Sequence, residues 1–340
     1  MRVAVLGAGD MGTAITAPIA ANGHDVRLWG TTHDEHIIAA LQAGQVHPRL
    51  QHPIDPAVNL LHADQIEQAL AEADLVVVAV SSGAIDIVLD LVLATGMPVP
   101  PVLSLAKGLW HQPHEPVQVI GDRIQQMTGA PVIVVGGPAK ANEVALHLPT
   151  VSVFASDDAG ANQLASDLLQ TPMYRAQTTT DRIGVELAAA MKNAYAIAVG
   201  VATGLEARLG LPHQNLKAAL FPFAIEEMAR LVHTLGGHPA TVFGLAGVGD
   251  LSVTVAAGRN RLLGEMLGRG QPVADALAAL VSTGMTIEGH AAAQHGYQMV
   301  RDIEGPGGID EFPMLQALHR ILFDGAPAFE TLWDAISGQT

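Results

Sequence analysis

The first 180 residues carry a pattern that few folds can satisfy: short apolar runs, each separated from the next by a stretch with helical spacing. "RVAVLG" opens the series, followed by "DVRLWG", "DLVVVAV" (74–80), "PPVLSLA" (100–106) and "APVIVVGG" (130–137). A strand that is apolar throughout must be covered on both faces, and crossover helices supply that cover. Stretches such as "MGTAITAPIAANG", "HADQIEQALAEA" and "SSGAIDIVLDLVLATG" are suited to it. The expected class is α/β, built on a doubly wound parallel sheet. "TVSVFAS" (150–156) and "MYRAQT" (173–178) read as further, more peripheral strands. From about Ile183 the strands stop, and helices are expected over 182–206, 212–236, 259–268, 272–283, 288–303, 312–323 and 326–337. The chain therefore reads as two domains, 1–182 and an all-helical 183–340.

The first strand runs straight into "GAGDMG", with Gly7, Gly9 and Gly12 in the spacing GxGxxG at the opening of a helix. The first glycine suits a tight turn, the second lets backbone approach a pyrophosphate, and the third lets helix and sheet pack closely. Asp10 and Met11, between them, join these glycines as candidate cofactor contacts at a positive helix N-terminus. The sheet is accordingly expected to be Rossmann-like and to bind a dinucleotide. The acid expected at the end of the second strand is replaced by Gly30, Thr31 and Thr32, so nothing there repels a 2′-phosphate. NAD or NADP fits, with NADP slightly favoured, Thr31 at the ribose and Arg49 as the cation that would reach the phosphate.

Residues 185–202, "VELAAAMKNAYAIAVGVA", read as a helix apolar on nearly every side, and Lys192 lies within its stripe. An unpartnered buried ammonium costs several kcal/mol or gives up its proton, so this position calls for a counter-charge or a task. The plainer reading is a lysine that snorkels to solvent, but the stripe offers no short exit. Only four lysines occur, at 107, 140, 192 and 217, and the net charge is -16. That balance, with no basic run, argues against nucleic acid and anionic membranes, and leaves any anionic ligand to be caught by local charge. The absence of cysteine fits a cytoplasmic protein. No apolar run reaches about 18 residues without charge, Gly or Pro, so no membrane insertion is expected. His33 with His36, and His111 with His114, lack a third ligand at suitable spacing, so no metal is expected.

Blocks along the rest of the chain, "LSLAKGL" (103–109), "GGPAKANEVALHLPT" (136–150), "ELAAAMKNAYAIAVGVATGL" (186–205), "FGLAGVGDLSVTVAAGRNRLLGEMLGRG" (243–270) and "TIEG" (286–289), stand with the glycine turn in one order. In that order and spacing they resemble the NAD(P)-dependent glycerol-3-phosphate dehydrogenase family. The resemblance implies hydride transfer between NAD(P)H and dihydroxyacetone phosphate or glycerol 3-phosphate, with Lys192 as general acid/base. It makes Asp250 the partner that holds Lys192, with Thr254 a turn later; the plainer reading of Asp250 is a helix N-cap. Lys107, at the carboxyl end of a strand, would polarise the substrate oxygen or hold the nicotinamide end. Arg259 and Asn260, after Gly258 at the start of a helix, combine guanidinium, amide and free N–H groups into a phosphate site, with Arg259 also near the cofactor. Asn193 and Lys217 fall on family positions, Lys217 close behind the catalytic helix, and Glu288 matches a glutamate near the cofactor. A homodimer is implied by the resemblance alone.

The pattern breaks in two places. A charge stands at Lys140 where the family is usually apolar, and Pro222 and Phe223 replace the family's Thr-Arg. Lys140 is expected to replace in part the positive charge missing at 223, for the same substrate or a related one; the plainer reading is a surface lysine. Two other readings follow: the same hydride chemistry on another phosphorylated ketose, polyol or hydroxy acid, and a non-catalytic NAD(P)-binding sensor. A sensor has no need of a proton shuttle.

Overall fold

In a computed structural model that describes residues 1–338, the chain divides into two compact units. One is Met1–Lys107 with Ile120–Glu186; the other is Gly108–Val119 with Leu187–Thr340. A single division at residue 182 does not provide for 108–119, which goes with the helical unit.

Among the described residues ten strands form: β1 (Arg2–Leu6), β2 (Asp25–Trp29), β3 (Asn59–Leu61), β4 (Leu75–Val78), β5 (Val102–Ser104), β6 (Leu109–Trp110), β7 (Gln118–Val119), β8 (Val132–Gly136), β9 (Thr150–Ala155) and β10 (Tyr174–Thr179). Eight make one sheet in the order β10-β9-β8-β5-β4-β1-β2-β3. Val5 of β1 stands beside Leu28 on one side and Val77 on the other, and all three are fully buried. That is why these strands read as unbroken apolar runs. The sheet is parallel except where β9 meets β8 antiparallel, a reversal at one edge that apolar strand composition cannot announce. The chain leaves β1 for β2 on one side and later returns to β4 on the other, so the crevice beyond their carboxyl ends is the switch point where such sheets take ligands.

The other unit is mostly helical but not wholly so. β6 and β7 pair antiparallel through Leu109–Val119 and Trp110–Gln118, a two-rung hairpin too short to register as strand periodicity. The long helix Arg182–Leu209 begins in the first unit, where Arg182 is tied to Asp122, Asp157 and Glu186. By length and hydropathy it could cross a bilayer, yet its most apolar stretch is wholly buried in protein, as a core helix's is. Gly200 and Gly204 on this helix face the backbone of the helix Arg259–Gly268, and Gly264 and Gly268 face back.

Glu227, on the helix Gln214–Thr234, is buried and accepts from Tyr195 Oη (2.9 Å) and from the amides of Met314 and Leu315, at the start of the helix Pro313–Phe323. It thus joins three helices through one carboxyl. Burial pushes that carboxyl up to about 7, against which its hydrogen bonds pull down. The folded group keeps its proton to about pH 7 while the unfolded one releases it near 4.5. Its contribution to stability is therefore fully present below 4.5 and is lost as the pH rises through 7. The contribution of such buried carboxyls to thermal stability is expected to fall across that window. Glu227→Gln should flatten the fall, leaving the part due to Glu186, which burial also pushes up to about 7. Melting curves of variant and wild type that run parallel from pH 5 to 8 would contradict this.

Candidate active site

In the first unit the glycine turn closes β1 onto the helix Asp10–Ala21. Gly7 has φ +111°, and a Cβ there would lie 2.8 Å from the carbonyl oxygen of Ala79. A Cβ on Gly12 would lie 2.0 Å from that of Gly7, so both positions demand glycine for space. Gly9 differs: among the described residues beyond its chain neighbours, a Cβ would approach within 4 Å only Nη2 of Arg49, at 3.7 Å. Its face is open, which suits the approach of a pyrophosphate to backbone N–H groups. Met11 packs partly against the sheet core, and Asp10 opens the helix.

Two side chains that drew no notice in the sequence fix this turn. The Asp34 Oδ2 accepts from Ala8 N (3.2 Å), Thr31 N (3.0 Å) and Thr31 Oγ1 (2.8 Å). The end of β2 does have a carboxylate, four residues beyond Gly30, folded back onto the turn. His47 is fully buried, its Nδ1 accepting from the amides of Arg49 and Leu50. Nε2 therefore carries the proton and donates to Ala8 O (3.2 Å). Burial holds its pKa below the usual range, in keeping with a neutral ring. Its only sequence signal was position, in a loop without periodicity. Lys107, just past β5, donates to the carbonyl of Gly137 at 3.0 Å, beyond the end of β8, so it is no freely solvated loop lysine.

In the second unit Lys192 and Asp250 form an ion pair, 7% and 1% exposed. The carboxylate offsets the cost that burial imposes on the ammonium, and the lysine does not snorkel. Asp250 is the first residue of the helix Asp250–Ala257, directly after a π-helical turn, Leu245–Gly249, so the N-cap position falls to Gly249 and the Asp250 side chain reaches Lys192. Thr254 lies one turn on, its hydroxyl donating to Asp250 O. Beside them, buried Asn260 donates from Nδ2 to Asn193 Oδ1 (2.9 Å) and accepts at Oδ1 from Gly289 N (2.9 Å). Asn193 Nδ2 donates to Glu288 Oε2 at 3.4 Å. One connected network thus holds Asn193, Asn260 and Glu288, next in chain to Lys192, Arg259 and Gly289. Arg259 is exposed, the first residue of its helix. An outward guanidinium and free helix N–H groups remain available to an anion.

Lys217 does not belong here. It pairs with Glu206, fourteen residues past Lys192 on the same helix, about 21 Å along the axis at 1.5 Å per residue. A sequence position behind the catalytic helix did not reveal that the approach is at its far end. Lys140 lies 3.6 Å from Glu143 in its own helical turn, which already supplies it with a counter-charge.

A model of the NAD-dependent glycerol-3-phosphate dehydrogenase N-terminus matches residues 2–162, and one of the C-terminus matches 181–332. The NADP(+)-dependent glycerol-3-phosphate dehydrogenase of Archaeoglobus fulgidus is 33% identical over 98% of each chain. A glycerol-3-phosphate dehydrogenase [NAD(P)+] of Chlorobium limicola is 32% identical over 99% of this chain and 98% of its own. Among solved structures, glycerol-3-phosphate dehydrogenase from Coxiella burnetii superposes with a TM-score of 0.85 at 28% identity, covering 98% of each chain.

Proposed function

Because the chain belongs to the NAD-dependent glycerol-3-phosphate dehydrogenase family, we propose that it interconverts dihydroxyacetone phosphate and glycerol 3-phosphate with NAD or NADP as redox partner. The observation that carries the reading is the buried Lys192–Asp250 pair beside the Asn193–Asn260–Glu288 network. The open face of Gly9 and the space demanded at Gly7 and Gly12 fit a dinucleotide, held by residues 7–12, Thr31 and Lys107. When bound, the nicotinamide supplies or takes the hydride.

In the direction of reduction, the Lys192 ammonium gives a proton to the ketone oxygen; in oxidation it takes the hydroxyl proton back. Loss of that proton leaves the buried Asp250 carboxylate facing a neutral amine, which favours reloading of that amine. Asp250 also fixes where Nζ points. Arg259 and Asn260 bind the substrate phosphate, and Glu288 orients Asn193 beside the cofactor. Lys107 holds the substrate oxygen or the nicotinamide end. Arg49 would meet a 2′-phosphate, and no other lysine or arginine occurs from residue 28 to residue 106. We extend the reading, on family membership, to a cytoplasmic homodimer, which sedimentation would test.

The direct test is oxidation of NADH and of NADPH with dihydroxyacetone phosphate. Protein that binds nucleotide yet turns over with neither would defeat the reading. Arg259→Ala should raise KM for dihydroxyacetone phosphate about tenfold to a hundredfold, the worth of a hydrogen bond to a charged group, and lower kcat less. An unaltered KM would remove Arg259 from the phosphate site.

A further inference from the structure

The helix that opens from the glycine turn carries an oddity. Its first residue is an acid, Asp10, placed where backbone N–H groups and the helix dipole are set to receive a phosphate. An anion there works against the ligand unless something answers it. Arg49 does so: its Nε donates to Asp10 Oδ1 at 2.7 Å, while Nη2 lies over the open face of Gly9. The pair is solvent-accessible, 58% for the arginine side chain and 41% for the aspartate. The loop bearing Arg49 is nevertheless anchored, because buried His47 takes the Arg49 amide on one ring nitrogen and gives the other's proton to Ala8 O. The guanidinium is thus held at the glycine turn by its backbone and shared there with Asp10 by its side chain.

We propose that Asp10 is a specificity-determining residue: it competes with the 2′-phosphate of NADP for Arg49, and so narrows the preference between the two dinucleotides. NAD has no group at that position and leaves the pair in place. NADP must draw the guanidinium away from a carboxylate that also repels the incoming charge. A second carboxylate, Asp34, sits on the turn but spends Oδ2 on Ala8 and Thr31 and makes no bond to Arg49. The proposal rests on the dinucleotide reading above and assigns Asp10 a role within it.

The test is the dissociation constant of NADPH and of NADH, from the fluorescence of the bound reduced nucleotide, in wild type, Asp10→Asn, Arg49→Ala and the double variant. Freed from Asp10, the guanidinium gains one charge-assisted contact to phosphate, so Asp10→Asn should move the ratio of the two constants about fivefold to tenfold toward NADPH. Arg49→Ala should move it the other way by a similar factor. In the Arg49→Ala background the Asp10 substitution should move the ratio less than twofold, since the competition needs its object. Equal changes for both nucleotides on Asp10→Asn would overturn the proposal and leave Asp10 a general repulsion of the pyrophosphate. The same shift with and without Arg49 would overturn it too. Failure of wild type to bind either nucleotide would instead defeat the underlying reading.

Discussion

Lys192→Ala is expected to lower kcat for dihydroxyacetone phosphate reduction by about a hundredfold to ten-thousandfold, the range a positioned general acid supplies. Substrate KM should change far less, because the proposed phosphate site, Arg259 and Asn260, lies on another helix. The same substitution takes the ammonium away from the buried Asp250 carboxylate, and breaking a buried pair from one side costs about 3–5 kcal/mol of stability. Lost activity could then reflect a damaged fold. A second variant separates the two: Lys192→Met with Asp250→Asn removes both charges and keeps the volume, so most of the stability should return while the activity does not. Should the double variant keep more than about a tenth of wild-type kcat, an effect below what general acid catalysis supplies, Lys192 is not the proton donor.

The second large effect is expected from a methyl group. Gly264→Ala would place its Cβ 1.9 Å from the carbonyl oxygen of Ile197, and Gly200→Ala would place one 2.2 Å from that of Arg261. Alanine normally improves a helix interior by about 1 kcal/mol over glycine. Here the obstacle is backbone on a facing helix and cannot rotate away. Overpacking costs of about 1–3 kcal/mol apply, at their upper end, so Gly264→Ala should lower the melting temperature by about 6–12 °C. The functional loss should be larger than the stability loss suggests. The two helices carry Lys192 with Asn193 and Arg259 with Asn260, and parting them by about 1 Å can cost a hundredfold in rate. Gly307→Ala is the control, since nothing lies within 4 Å of its added methyl group and its φ is negative. A Gly264→Ala enzyme with wild-type kcat would show that this helix spacing does not set the geometry of the site.

Elements that must satisfy a demand locally were readable from the sequence. The strands around β1 are apolar on both faces because helices cover both faces, and Gly7 and Gly12 are glycine because no Cβ fits. Lys192 announced itself through its neighbours, since an ammonium among alanines needs a partner wherever the chain finds one. What escaped notice were groups whose meaning lies in a distant contact. Asp34 bonds the amide of Ala8 and His47 its carbonyl, contacts 26 and 39 residues apart in sequence that no local pattern marks. Lys217 erred the other way: its position in sequence fitted, but its side chain meets Glu206 at the wrong end of the helix.

Fold class, the dinucleotide turn and the requirement for a counter-charge at Lys192 were legible in the order of amino acids, because periodicity, steric space and desolvation act within a few residues of their cause. Tertiary structure alone decided that Asp250 meets that requirement, that Arg49 faces Asp10 and that Gly200 admits the backbone of Arg261. Each of these joins residues 39 to 61 positions apart, and such pairings are fixed only when whole helices and loops pack, since the free energy that selects them belongs to the assembled core rather than to either segment.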